Sequence, residues 1–139
     1  GNTLIVVDVA MTSGTDILLP QATAENAGMK ITVLLTEDCA ASGTIKIGVT
    51  NGSSTVMKGG GVLVSEDATI DSLSTWVASA KGFLLDSDAV DQSGGAAGSR
   101  YEFYYAAANT VAARFDAIVT AGTAALDAAD DKVAANSGI

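Results

Sequence analysis

Ser99-Arg100-Tyr101-Glu102-Phe103-Tyr104-Tyr105-Ala106 holds aromatic rings at 101, 103 and 105, with Arg100, Glu102 and Tyr104 in between. A period of two belongs to a strand, because successive side chains leave a pleated backbone on opposite faces. Tyr101, Phe103 and Tyr105 therefore face a core, and Arg100, Glu102 and Tyr104 face away from it. Four of the chain's seven aromatic residues sit in this one phrase. Aromatic side chains supply much of the apolar area of an alanine-rich domain, so the core is expected on a sheet.

The neighbouring phrases carry the same period. Met29 to Thr36 alternates as a half-buried strand, with Ile31 and Val33 inward and Lys30 and Thr32 outward. Thr3 to Val9 is dense in β-branched residues, and Met11 to Gly14 reads as a turn. Thr15 to Leu19 is a strand ended by Pro20, which lacks a ladder donor. Gln21 to Ala27 is expected to form one or two helical turns, closed by Gly28 in a left-handed conformation. Thr44 to Val49 alternates with Lys46 outward, and Asn51-Gly52 predicts a hairpin into Ser54 to Lys58.

Further along, Gly59-Gly60-Gly61 suits a bulge, a bend or a close approach of backbones, after which Val62 to Ser65 is extended. Glu66 to Ser72 reads as a short helix or loop. Thr75 to Ser79 and Lys81 to Asp86 read as strands with Trp76 and Phe83 in the core, and Asp86 to Gly98 as the longest loop. Ala107-Ala108-Asn109 turns into a long strand from Thr110 to Ala121. The fold expected is all-β: a mostly antiparallel β-sandwich or barrel of about eight strands with one or two short helices. Residues 1–122 form a single β-rich domain. Residues 123–139, rich in Ala, Asp and Asn, form a C-terminal arm that orders against a partner and there buries Leu126, Val133 and Ile139.

Composition narrows the chemistry. The 139 residues suit one domain, and 16 acidic against seven basic residues give a net charge of −9 that repels a phosphate backbone. Nucleic acid is not an expected partner, and a saline setting is compatible with such a surface. No apolar run reaches the roughly 20 residues that span a bilayer, so no membrane partner is expected. The start at Gly1 lacks a basic segment followed by an apolar one, as in a chain whose signal peptide is absent or already removed. Cys39 is the only cysteine, beside Glu37 and Asp38, and reads as a small apolar residue in a field that disfavours a thiolate. The absence of histidine removes Ser-His-Asp and Cys-His catalysis and histidine metal sites. No enzymatic activity and no cofactor are expected.

The remaining candidates are weighed against plainer readings. Asp86, Asp88 and Asp91 share a loop with oxygen ligands suited to Ca²⁺, but the glycine and glutamate of an EF-hand are missing at the required offsets. A solvated acidic loop is the plainer account. Gly59 to Gly61 lacks the Gly-Lys-Ser/Thr ending of a phosphate loop, and Asp127, Asp130 and Asp131 lie in the expected arm, where no carboxylate spacing is held. Trp76, Tyr101, Tyr104 and Tyr105 could together make an aromatic platform for a glycan, against core packing of Trp76 and the alternate tyrosines. Arg100 and Arg114 are interface candidates, paired with carboxylates within the subunit or across a contact.

Asp16-Ile17-Leu18-Leu19-Pro20, Ala27 to Val33, the pair Thr44 to Val49 and Ser54 to Val64, and Gly98 to Tyr105 followed by Thr110 to Val119 resemble, in that order, strand phrases of tailed-bacteriophage virion structural proteins. The resemblance is to small head-decoration (cement) and fibre proteins of marine phages. It implies a non-enzymatic subunit on the capsid surface of a virion that reinforces or extends the phage head, in contact with the major capsid protein or other virion proteins. It also implies a homo-oligomer, with a trimer as the expected state. The alternative is a glycan-binding or adhesive module, such as a tail-fibre or cell-surface domain, located outside the cell.

Overall fold

The computed structural model describes residues 1–12, 14–39, 45–65, 73–85, 94–119, 135–136 and 138–139, with the backbone alone described at 63, 65, 73–80, 83–85, 119 and 135–136. Among them ten strands form: β1 Asn2–Val7, β2 Asp16–Leu18, β3 Lys30–Leu35, β4 Ile45–Gly48, β5 Val56–Ser65, β6 Leu73–Ala80, β7 Gly82–Leu85, β8 Arg100–Ala107, β9 Thr110–Val119 and β10 Ala135–Asn136. They make a six-stranded sheet in the order β1-β3-β8-β9-β5-β6 and a four-stranded sheet in the order β10-β7-β4-β2. The fold is all-β, and neither sheet closes into a barrel among the described residues.

Strand β8 has the alternation read from its residues. Tyr101, Phe103 and Tyr105 are buried, Arg100 and Tyr104 are exposed, and Glu102 is half-buried. In β3, Ile31, Val33 and Leu35 are buried. They form one core cluster with Ile45, Ile47 and Val49 on and beside β4, Met57 on β5, and Val111, Ala113, Phe115 and Ala117 on β9. One core thus serves both sheets. Each fully buried aliphatic or aromatic side chain contributes about 1.5–3 kcal/mol of transfer free energy.

Four expectations are corrected or refined. Antiparallel pairings are the majority, five of the eight among the described strands, but the large sheet is mixed, since β1 pairs β3 and β5 pairs β9 in parallel; β2 also pairs β4 in parallel. No helix forms over Gln21 to Ala27. Asn26 takes its place, accepting from the Thr23 amide at 2.8 Å and donating to the Gln21 carbonyl at 2.8 Å, and such side-chain bonds compete with helical ones. Gly28 does hold a left-handed φ of 88°. The other helix candidate, Glu66 to Ser72, lies outside the described residues, as do the side chains of Trp76 and Phe83.

The third correction concerns Asn51-Gly52. A turn is present, with the Ser53 amide donating to the Thr50 carbonyl at 3.0 Å, but it carries the chain from the small sheet into the large one. Lys81 secures that crossing: its ammonium donates to the Thr55 carbonyl at 2.9 Å and to the Ser53 carbonyl, while its own carbonyl accepts from Val49. The buried Thr55 hydroxyl accepts from the Ala22 amide at 2.9 Å and ties in the turn after Pro20.

The fourth concerns the chain's end. Residues 120–134, with Leu126 and Val133, lie outside the described residues, but β10 pairs with β7, and Ile139 is half-buried. Its amide donates to Val49 and its carbonyl accepts from Asn51, both at 2.9 Å. Residues 135–136 are thus part of the small sheet and Ile139 is bonded to the turn beyond β4, where an arm ordered only against a partner was expected; residues 123–134 and 137 lie outside the described residues. Deleting residues 135–139 is expected to lower stability by about 1–3 kcal/mol, counting two hydrogen bonds at about 0.5–1.5 kcal/mol each, as read by urea denaturation.

The glycine triplet stands inside β5, with a bulge between Met57 and Gly59 against β6. A Cβ at Gly59 would overlap the Ala113 carbonyl, and one at Gly61 the Phe115 carbonyl and ring. Close approach of β5 to β9 is the reason for glycine there. Gly61→Val should cost at least about 1–3 kcal/mol through overpacking, visible as a fall in the thermal midpoint, whereas Gly52→Ala, which meets open space, should leave it nearly unchanged.

Candidate interaction face

The core takes one face of the large sheet, and the alternation of β3, β8, β9 and β5 gives the other to solvent. Register brings the charges of that outer face together. Lys30 stands opposite Tyr104, Glu102 opposite Arg114, Arg100 opposite Asp116, and Lys58 opposite Ala112. Four of the chain's seven cations lie here with two carboxylates, a local excess of two positive charges on a chain of −9.

Glu102 is the hub. Its carboxylate lies 3.3 Å from the Lys30 ammonium and 3.7 Å from Arg100 Nε, and it accepts from the Tyr104 hydroxyl at 2.9 Å. The Lys30 ammonium also sits 5.1 Å from the Tyr104 ring centroid. The Tyr104 hydroxyl, then Lys30 and Arg100, hold the Glu102 carboxyl below the usual carboxylate range. Tyr104 and then Glu102 raise the Lys30 ammonium above its ordinary value. The network is exposed enough for solvent to screen it, so it orients groups more than it stabilises the fold.

Arg114 makes no ion pair with a described residue. With Arg100, Glu102, Phe115 and Asp116 it lines an open depression of about 80 Å³. That is small beside small-molecule sites, which run to about 300–1,000 Å³. At the β1 side of the same face, Leu4 and Val6 are 62% and 50% exposed, large fractions for aliphatic side chains on a strand.

The candidates named from the sequence separate accordingly. Arg100 and Arg114 come together on this face. Tyr101 and Tyr105 lie in the core, donating to the Gly94 and Pro20 carbonyls at 2.8 Å each, while Tyr104 is on the opposite side. The three tyrosines therefore form no common platform. Ile139 is bonded to Val49 and Asn51 just beyond β4, and Cys39 is buried. Asp86, Asp88, Asp91, Asp127, Asp130 and Asp131 lie outside the described residues, among which no group of three or more metal-ligating side chains occurs. Lys30, Lys58, Glu102 and Asp116 were not singled out. Alternation put Lys30 and Glu102 outward, but only the register of distant strands joins them.

Comparison with family models, with curated proteins and with solved structures found no match. The face is therefore interpreted from its own chemistry.

Burial pushes the Tyr105 hydroxyl up from 10.0 to about 12, and raises Tyr101 in the same direction. A folded value above the unfolded one means that the stabilisation is complete below pH 10.0 and is lost as pH rises through about 12. Alkaline titration followed by tyrosinate absorbance should therefore show delayed ionisation, with unfolding setting in over that window. Tyr105→Phe should remove part of the delay. Ordinary titration of Tyr101 and Tyr105 in the folded protein would contradict their buried placement.

Proposed function

We propose that this chain is a non-enzymatic virion structural subunit, most simply a capsid decoration (cement) protein that lies on the phage head and reinforces it. The observation that carries this reading is the cationic outer face of the large sheet, centred on Glu102 and flanked by Arg100 and Arg114, on an otherwise acidic chain. Such a face orients a subunit on a surface of complementary sign, because interfacial charges set register and encounter more than total affinity. The order of strand phrases, which resembles phage decoration and fibre proteins, selects a virion as the setting.

The two sheets are the layers of a β-sandwich in this reading. The outer face of the large sheet meets the shell, and its alternating signs match side chains of the major capsid protein or another virion protein. The shallow depression receives side chains rather than a free sugar, which sets the reading apart from a glycan-binding module.

Cryo-electron microscopy of particles carrying the chain is expected to show regular copies on the head lattice with Arg100 and Arg114 toward the shell. Arg100→Glu with Arg114→Glu should lower occupancy at least about tenfold while leaving the thermal midpoint within a few degrees, since truncating a buried interfacial charge costs about 2–5 kcal/mol. Unchanged occupancy of the double variant would reject the face. Absence of the chain from particles would reject the setting.

A further inference from the structure

Strand β1 is one of the two edge strands of the large sheet, with β6 at the other end, and its hydrogen bonds alternate. The Gly1 carbonyl accepts from Lys30 at 3.1 Å and the Val7 carbonyl from Thr36 at 2.9 Å, at the two ends of a continuous parallel register. In such a ladder the odd residues of β1 bond to β3. Asn2, Leu4 and Val6 consequently turn their amides and carbonyls to the open edge, where no described residue meets them. Their side chains are on the outer face, exposed.

Open edges are ordinarily kept from pairing by charge, proline, short length or cover. The small sheet follows this rule. β2 has three residues, with the Asp16 carboxylate accepting from the Lys46 amide, and β10 has two. In contrast, β1 has six residues, Asn2-Thr3-Leu4-Ile5-Val6-Val7, with neither charge nor proline. On a chain of −9 this is a neutral, aliphatic edge.

We propose that β1 pairs antiparallel with β1 of a second copy of this chain, about a two-fold axis at Leu4. A two-fold contact must be self-complementary, and this edge is. With Leu4 opposite Leu4, Asn2 falls opposite Val6 and Val6 opposite Asn2. All three pairs are then of the type that exchanges both hydrogen bonds, six bonds in total. On the outer face Leu4, Val6 and Leu34 of both copies form one aliphatic strip, because Val6 neighbours Leu34 across β3. A charged peptide finds no complementary group on β1, whereas an identical neutral strand does. The result is a twelve-stranded sheet whose two cationic faces lie on the same side. The inference rests on β1 alone, independent of the virion reading, and its two-fold contact differs from the trimer that the phage resemblance implies.

Sedimentation over a broad concentration range, in low and high salt, is expected to show a monomer–dimer equilibrium that strengthens with salt as the repulsion between like-charged copies is screened. Leu4→Pro removes the central outward donor without removing a bond to β3, and Leu4→Lys places a charge at the axis. Both should be monomeric with a nearly unchanged melting midpoint. Cysteine cross-linking gives the register. Directly opposed residues of this type lie about 5.5 Å apart at Cα, within the disulfide range of about 4.4–6.8 Å. Leu4→Cys should therefore form an interchain disulfide on mild oxidation. Val6→Cys, roughly 15 Å from its counterpart at a strand rise of about 3.4 Å per residue and a lateral spacing of about 5.5 Å, should not. A wild type that stays monomeric throughout, a dimer or trimer that survives both Leu4 variants, or equal cross-linking at positions 4 and 6 would each overturn the proposal.

Discussion

The large sheet depends on a gradient of side-chain size across its inner face. Along one row the register runs Ile31, Phe103, Ala113, Gly59; along the next, Val33, Tyr101, Phe115, Gly61. Rings at β8 fill the space between the sheets, and in these two rows β5 offers only hydrogen, whereas the row of Tyr105 and Val111 ends on the buried Met57. Interiors pack near crystal density, so an added Cβ on the shallow side has nowhere to go, and β9 approaches β5 until the glycines are obligatory. The ring of Tyr101 lies 6.0 Å from that of Phe115 at an angle of 36°, so two adjacent strands share the tall side of the gradient.

Tall side chains bring polar ends with them, and these ends join the layers. Tyr101 and Tyr105 each carry a hydroxyl through the core to a backbone carbonyl, so the rings that fill the volume also satisfy Gly94 and Pro20. Lys81 and Thr55 do the same where the chain changes sheets. Buried carbonyls and amides left without partners cost about 1–3 kcal/mol each, which makes these few polar side chains disproportionate contributors to one arrangement of the two sheets.

How much of this was legible follows from the range of each interaction. The faces of β3 and β8 were readable because alternation is a property of five or six adjacent residues, and Gly28 because a turn is equally local. The pairing of Glu102 with Lys30 was not, since it depends on β3 and β8 lying together at one register, which no local pattern encodes. Asn51-Gly52 misled for the same reason: its turn is real, but hairpin pairing was lost to longer-range partners, β7 for β4 and β9 for β5. The helix expected at Gln21 to Ala27 was undone by Asn26, whose side chain has local bonds that a propensity argument leaves out. The short β10 was hidden in a polar tail because two residues carry no periodicity.

Net charge was also an incomplete guide to the outer face. At physiological salt the Debye length is about 8 Å, so a partner touching that face responds to charges within a strand or two and hardly to the acidic remainder. There the sign is locally positive, yet Glu102 and Asp116 stand among the cations, directly opposite Arg114 and Arg100. A continuous phosphate backbone would meet a carboxylate at each such step. A protein surface with its own alternation of sign can match each one. The total of −9 thus says little about this face, where the spacing of four charges on two strands decides which pattern of sign a contacting surface would have to present.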